Sequence, residues 1–162
     1  MQAIVTVDNN FSVSYKNNSL ASIPAEKKSM MSTVAGKTVV YDIHFIKELL
    51  GQQPIRGCNN IIYTAGMKVS IKGASCYETL EEIKEALNKE KNDDIYIIHG
   101  ADLYNFFFSE TDTFHVTKID YEYNADASIP NLDKDESLEI VADSDELYCF
   151  DIIYQFLKYK RK

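Results

Sequence analysis

The stretch that decides the fold is residues 95–108, Ile95-Tyr96-Ile97-Ile98-His99-Gly100-Ala101-Asp102-Leu103-Tyr104-Asn105-Phe106-Phe107-Phe108. Four apolar residues, bounded upstream by the polar Asn92-Asp93-Asp94, read as a strand buried on both faces. His99-Gly100 is a tight turn, and residues 101–108 form the helix after it. A fully apolar strand feeding a helix is the pattern of a parallel sheet covered on both sides.

The alternation repeats upstream. Residues 3–7 are a short β-branched strand ended by Asp8-Asn9-Asn10, and residues 14–22 are a polar loop. Pro24 opens a helix, with Ser22 as a cap, that runs to about Val34 and ends at Gly36. Residues 38–41 are a strand, 43–50 a short helix stopped by Gly51, 54–57 a turn, 60–64 a third strand and 68–71 a fourth. Residues 77–89 are the clearest helix, with Leu80, Ile83, Ala86 and Leu87 on one face. Downstream, residues 114–119 are a strand. Residues 139–141 and 147–157 make a closing antiparallel pair joined by the acidic segment 142–146. These elements predict one α/β domain over residues 1–162, a three-layer α/β/α arrangement. Its sheet is mixed and mostly parallel, with about eight strands and an antiparallel C-terminal edge. Ligands of such sheets bind at the carboxyl ends of the strands, here after Val7, Tyr41, Thr64 and Ile98.

Composition narrows the function. The chain has 162 residues, 45% hydrophobic and 26% charged, which is ordinary for a soluble globular protein. No apolar run approaches the ~20 residues of a membrane span. The start, Met-Gln-Ala-Ile-Val, has no basic flank, so no signal peptide is expected. A net charge of −8 argues against nucleic acid and anionic membranes as partners. Cys58, Cys76 and Cys149 are odd in number and widely spaced. They predict three reduced thiols in a cytoplasmic protein, with no structural metal. A monomer acting on a small molecule is expected.

Collinear motifs give a sharper reading. Residues 3–8 (Ala-Ile-Val-Thr-Val-Asp), Ile23-Pro24-Ala25-Glu26, Gly36-Lys37-Thr38-Val39-Val40, Pro54-Ile55-Arg56-Gly57 with Asn60-Ile61-Ile62, residues 95–107, Val116-Thr117-Lys118-Ile119, Ala125-Asp126 and Tyr148-Cys149-Phe150 follow one another in order. Together they resemble the dihydrofolate reductase family along the whole chain. The resemblance implies reduction of 7,8-dihydrofolate by NADPH, with a buried carboxylate assisting protonation. A carboxylate suits that task because it accepts two hydrogen bonds from the pterin's amidine-like edge. By resemblance, Glu26 is that carboxylate and Thr117 the threonine hydrogen-bonded to the same edge; these are the implied catalytic pair. Ile4, Thr6, Met30 and Ile98 complete the implied folate or pterin pocket. Thr6, His99, Gly100, Leu103, Tyr104 and Asp126 are the implied NADPH contacts.

The departures from the family pattern cluster at the cofactor. The family's Met-Gly-Arg-x-Thr reads Tyr41-Asp42-Ile43-His44-Phe45 here, without the arginine and threonine that hold phosphates and with an added acid. That exchange predicts a loss of roughly 4 kcal/mol, about a thousandfold in affinity. The family's Gly-Gly turn reads His99-Gly100, its Gly-x-Gly loop reads Ser12-Val13-Ser14, and Cys58 replaces the arginine that pairs with the folate carboxylate. Asp42 and His99 lie far apart in sequence. His99→Gly is expected to raise NADPH affinity, and Asp42→Gly with Ile43→Arg to raise it further and roughly additively, the two sites being distinct. The alternative function is therefore a non-catalytic binding or interaction module on this fold that has lost the NADPH site.

Overall fold

The computed structural model describes residues 1–162. In chain order it contains β1 (Gln2–Val7), β2 (Ser12–Tyr15), β3 (Asn18–Ser19), α1 (Pro24–Val34), β4 (Thr38–Asp42), β5 (Asn59–Tyr63), β6 (Ala74–Tyr77) and α2 (Leu80–Leu87). There follow β7 (Ile95–His99), α3 (Ala101–Phe106), β8 (Thr113–Ile119), β9 (Ala127–Ser128), β10 (Leu138–Asp143), β11 (Leu147–Cys149) and β12 (Ile152–Arg161). The main sheet runs β10-β12-β8-β1-β7-β4-β5-β6, with β11 paired on β12. From β8 to β6 every pairing is parallel. The pairings of β12 with β8, β10 and β11 are antiparallel. The predicted mixed sheet with an antiparallel C-terminal edge is what forms, with a ninth short strand.

Period-two alternation builds the layers. Ala3, Val5, Val7, Val40, Ile61, Ile95 and Ile97 face one way, beneath Ile83 and Leu87 of α2 and Leu103 of α3. Ile4, Val39, Tyr41, Ile62, Tyr96 and Ile98 face the other, beneath Met30 and Val34 of α1. At ~25 cal/mol per Å² of apolar surface removed from water, both faces contribute to stability. The sheet is therefore central, and helices cover it on both sides.

Several local expectations are corrected. Residues 68–71 form no strand; β6 forms at Ala74–Tyr77, where Ala74 and Cys76 pack on the α1-side core. Gly73, at φ +90, makes the bend that brings the chain into register. Helix α2 begins at Leu80, because Thr79 accepts from the Glu82 N–H and donates to the Glu82 carboxylate, a reciprocal cap. Ser22 caps nothing: Ile23 is the N-cap of α1, and Pro24 sits in its first turn. Residues 43–48 are 3₁₀ rather than α-helical, with Asp42 capping the Phe45 N–H. Helix α3 stops at Phe106 and is followed by a 3₁₀ turn at Phe108–Glu110. The segment read as one strand over 147–157 is a hairpin with Phe150, at φ 57, in its turn. The supposed loop 14–22 carries β2 and β3, which with β9 make a three-stranded sheet. No helix is long and apolar enough to cross a membrane.

Candidate active site

Glu26 lies in the first turn of α1, and its carboxylate meets Thr6 near the carboxyl end of β1. It lines two neighbouring cavities that share Ile4 and Met30. The larger, about 250 Å³, adds His115, Thr117, Phe156 and Lys158. The smaller, about 50 Å³, adds Thr6, Phe45, Ile98, His99, Gly100 and Tyr104. Thus Ile4, Thr6, Glu26, Met30 and Ile98 converge on one cleft, with Thr117 on its far wall.

The Thr6 hydroxyl donates to Glu26 Oε1. The Thr117 hydroxyl makes no hydrogen bond to Glu26, although Thr117 sits directly beside Thr6 in the β1–β8 register and is buried. The direct partner is therefore the threonine on the central strand. Burial pushes the Glu26 carboxyl above the ordinary glutamate range. The Thr6 hydrogen bond and Lys27 pull it partly back, and Glu48 pushes it up again. Glu26 thus keeps its proton to higher pH than an exposed glutamate, beside an apolar wall.

Of the residues expected at the cofactor, Thr6, His99, Gly100 and Tyr104 line the small cavity together, Asp126 lines a neighbouring groove with Gly100, and Leu103 lies apart. Tyr104 lines the small cavity, but its hydroxyl already donates to the Ile4 carbonyl at 2.6 Å. Leu103 is fully buried in the opposite core and lines neither cavity. Asp126 accepts from the Lys16 N–H at 3.0 Å, and its own N–H donates to the Ser14 carbonyl, so it pins the β2–β3 hairpin. His99 Nδ1 lies 3.0 Å from Asp42 Oδ1, and Nε2 lies 3.6 Å from Glu48 Oε2. The imidazole stacks on Phe45 with centroids 4.6 Å apart and planes 17° apart. The His99–Gly100 bond is trans. Gly100 has φ +113, and a Cβ there would come within 3.1 Å of Asp42 Oδ2, so glycine is needed at this approach.

Beyond this pair runs a groove of about 140 Å³, lined by Asp42, Asp102, Asp126, His44, Asn17 and Tyr63 among others. Three carboxylates line it, and no lysine or arginine does. The phosphates of a dinucleotide need cationic or N–H donors; this lining supplies no lysine or arginine, and its N–H donors are the backbone groups at the start of α3. The charged side chains of this groove do not fit the phosphates of NADPH. Phe45 and Glu48 were not legible as site residues. Their signal was the joint exchange at Asp42 and His99, which marks a contact rather than two separate losses.

A third groove, about 770 Å³, runs from Met30 and Phe45 past Met31, Lys27, Lys47 and Leu50. Cys58, at the position of the family's arginine, donates its thiol to the Val34 carbonyl. Arg56 is exposed. The cations near this groove are therefore lysines.

A profile of the dihydrofolate reductase family matches residues 1–161. A dihydrofolate reductase of Bacillus subtilis (strain 168) is 25% identical over 113 residues, covering 68% of this chain. The match spans 65% of that relative's own length. Among solved structures, a dihydrofolate reductase from Enterococcus faecalis complexed with NADP(H) and RAB-propyl superposes with a TM-score of 0.79. That likeness covers 99% of this chain and 95% of the other at 18% identity, and it speaks for the fold.

Proposed function

The chain belongs to the dihydrofolate reductase family, and we propose that its cleft binds dihydrofolate or a related pterin through Glu26. Reduction of that pterin is the reaction to assay. The observation that carries this reading is the half-buried Glu26 carboxylate, oriented by Thr6 between a 50 Å³ pocket and a 250 Å³ cavity of mixed polar and apolar walls. Oε1 accepts from Thr6 and retains a second lone pair, while Oε2 has no protein hydrogen bond. Both oxygens can therefore accept from the two N–H groups of an amidine-like edge, a bidentate charge-assisted contact. Burial raises the carboxyl above the usual glutamate range in the free protein, and the bidentate contact would favour its ionised form on binding. Thr117 supports the far edge of the same cavity, and Ile4 and Met30 sandwich the ring. The third groove extends from this point, and Lys27 and Lys47 on its walls suit an acidic tail.

A second reading is favoured by the three aspartates in the adjoining groove: a pterin-binding protein without NADPH turnover. Calorimetric titration with methotrexate and with dihydrofolate tests the pterin site. Dihydrofolate-dependent oxidation of NADPH separates the two readings. Saturable binding that Glu26→Gln weakens supports the site; absence of binding to either ligand removes both readings.

A further inference from the structure

The carboxyl ends of β4 and β7, adjacent parallel strands, frame a crevice of the kind where α/β sheets admit nucleotides. Here a side chain from each strand end bridges it: Asp42 from β4 and His99 from β7, 3.0 Å apart. We propose that Asp42, His99 and Phe45 form a plug that determines specificity by shutting this crevice, so that the chain takes its pterin without a dinucleotide partner. The proposal deepens the pterin reading of Glu26 and rests on it.

Three independent features carry it. The first is space. With the imidazole stacked on Phe45, the pocket between them and Glu26 keeps about 50 Å³, on the order of one or two waters. A planar nicotinamide with its ribose does not enter. The second is cohesion. His99 is 8% exposed, one ring nitrogen faces Asp42, and the other faces Glu48 at 3.6 Å. Asp42 also caps the Phe45 N–H at 3.2 Å, so the three members hold one another. Swinging His99 aside would leave a partly buried Asp42 without its partner, which is costly. The third is charge. The groove beyond the plug carries Asp42, Asp102 and Asp126 against His44 alone, so an approaching diphosphate meets repulsion.

Because the two side chains are bonded to each other, removing one leaves the other in place and unpaired. The two exchanges are therefore coupled, in contrast to the additivity their distance in sequence suggested.

The test is a set of titrations by calorimetry and NADPH fluorescence on the wild type, Asp42→Gly, His99→Gly and the double variant, each also titrated with methotrexate. The expected wild type binds methotrexate, shows no saturable NADPH binding below about 1 mM, and has the same methotrexate affinity with and without NADPH. Each single variant gains less than threefold in NADPH affinity. The double variant, still binding methotrexate, gains at least tenfold, more than the product of the two singles. Wild-type NADPH binding at tens of micromolar or tighter overturns the proposal even where the double variant does not fold. So does a double variant that binds methotrexate but shows no gain. A wild type that binds NADPH weakly and methotrexate not at all instead overturns the pterin reading on which the plug rests.

Discussion

Replacing Glu26 by glutamine keeps the shape of the side chain and an acceptor for the Thr6 hydroxyl, but removes the charge. If the proposed pterin site is right, a protonated diaminopyrimidine such as methotrexate would place two N–H donors on the two carboxylate oxygens of the wild type. Each charge-assisted bond contributes about 1.5–3 kcal/mol, against about 0.5–1.5 for a neutral one. Glutamine offers one neutral acceptor and turns an N–H₂ donor towards the ligand's second N–H. The expected loss is ~2–4 kcal/mol, about thirty- to several-hundred-fold in Kd. The same exchange acts oppositely on the free protein. Burial raises the folded-state carboxyl above its unfolded value of 4.5, so the folded state binds more protons between the two values. The wild type therefore loses stability as pH rises through that interval, and glutamine does not. Glu26→Gln should melt higher than the wild type at pH 7, with the gap closing towards pH 4. Calorimetric methotrexate titration and thermal melts at both pH values measure the two effects. A variant that binds methotrexate as tightly as the wild type, with melts equal at pH 7, would refute the role given to Glu26.

Thr6→Val should push the Glu26 carboxyl further up by removing the hydroxyl that lowers it, and should cost about 1–3 kcal/mol of stability. A carbon-detected titration of the Glu26 carboxyl would register the shift. Leu103→Ala, deep in the core opposite the cleft, should cost ~2–5 kcal/mol and leave methotrexate affinity within twofold; a large affinity loss without destabilisation would place Leu103 in a ligand site. Asn60→Ala should destabilise by at least about 3 kcal/mol in chemical denaturation. Its amide accepts from Tyr41 and the Ile55 N–H and donates to the Ile55 and Cys58 carbonyls, and all four lose a partner. Lys47→Ala should weaken folate two- to fivefold but leave pteroate, which lacks the glutamate, unchanged, about the ~0.2–1 kcal/mol of an exposed ion pair.

What the sequence determined by itself lies in short-range pattern. The apolar runs at 3–7, 38–41 and 95–98 read as buried strands, and Pro24 marked the start of a helix. From these came the parallel part of the sheet; the strand-only tail after residue 108 gave the antiparallel edge, and Glu26 was singled out by the family resemblance. What the tertiary structure decided is which distant groups meet. Thr6 and Thr117 sit side by side in the β1–β8 register, and only the tertiary structure shows that the carboxylate takes Thr6 as its partner. Strand β6 forms at 74–77 rather than 68–71 because pairing with β5 rewards Ala74 and Cys76 with core contacts that no local propensity records. Asp42 and His99 each look like the loss of a glycine. In the fold they form one hydrogen-bonded pair, since β4 and β7 are neighbours in the sheet though 57 residues separate the two side chains. Local dihedral preference and hydrophobic period act over a few residues and can be read along the chain. Strand register and helix placement are settled by burial summed over the whole core, and those alone bring a carboxylate to its hydroxyl or an imidazole to its acid.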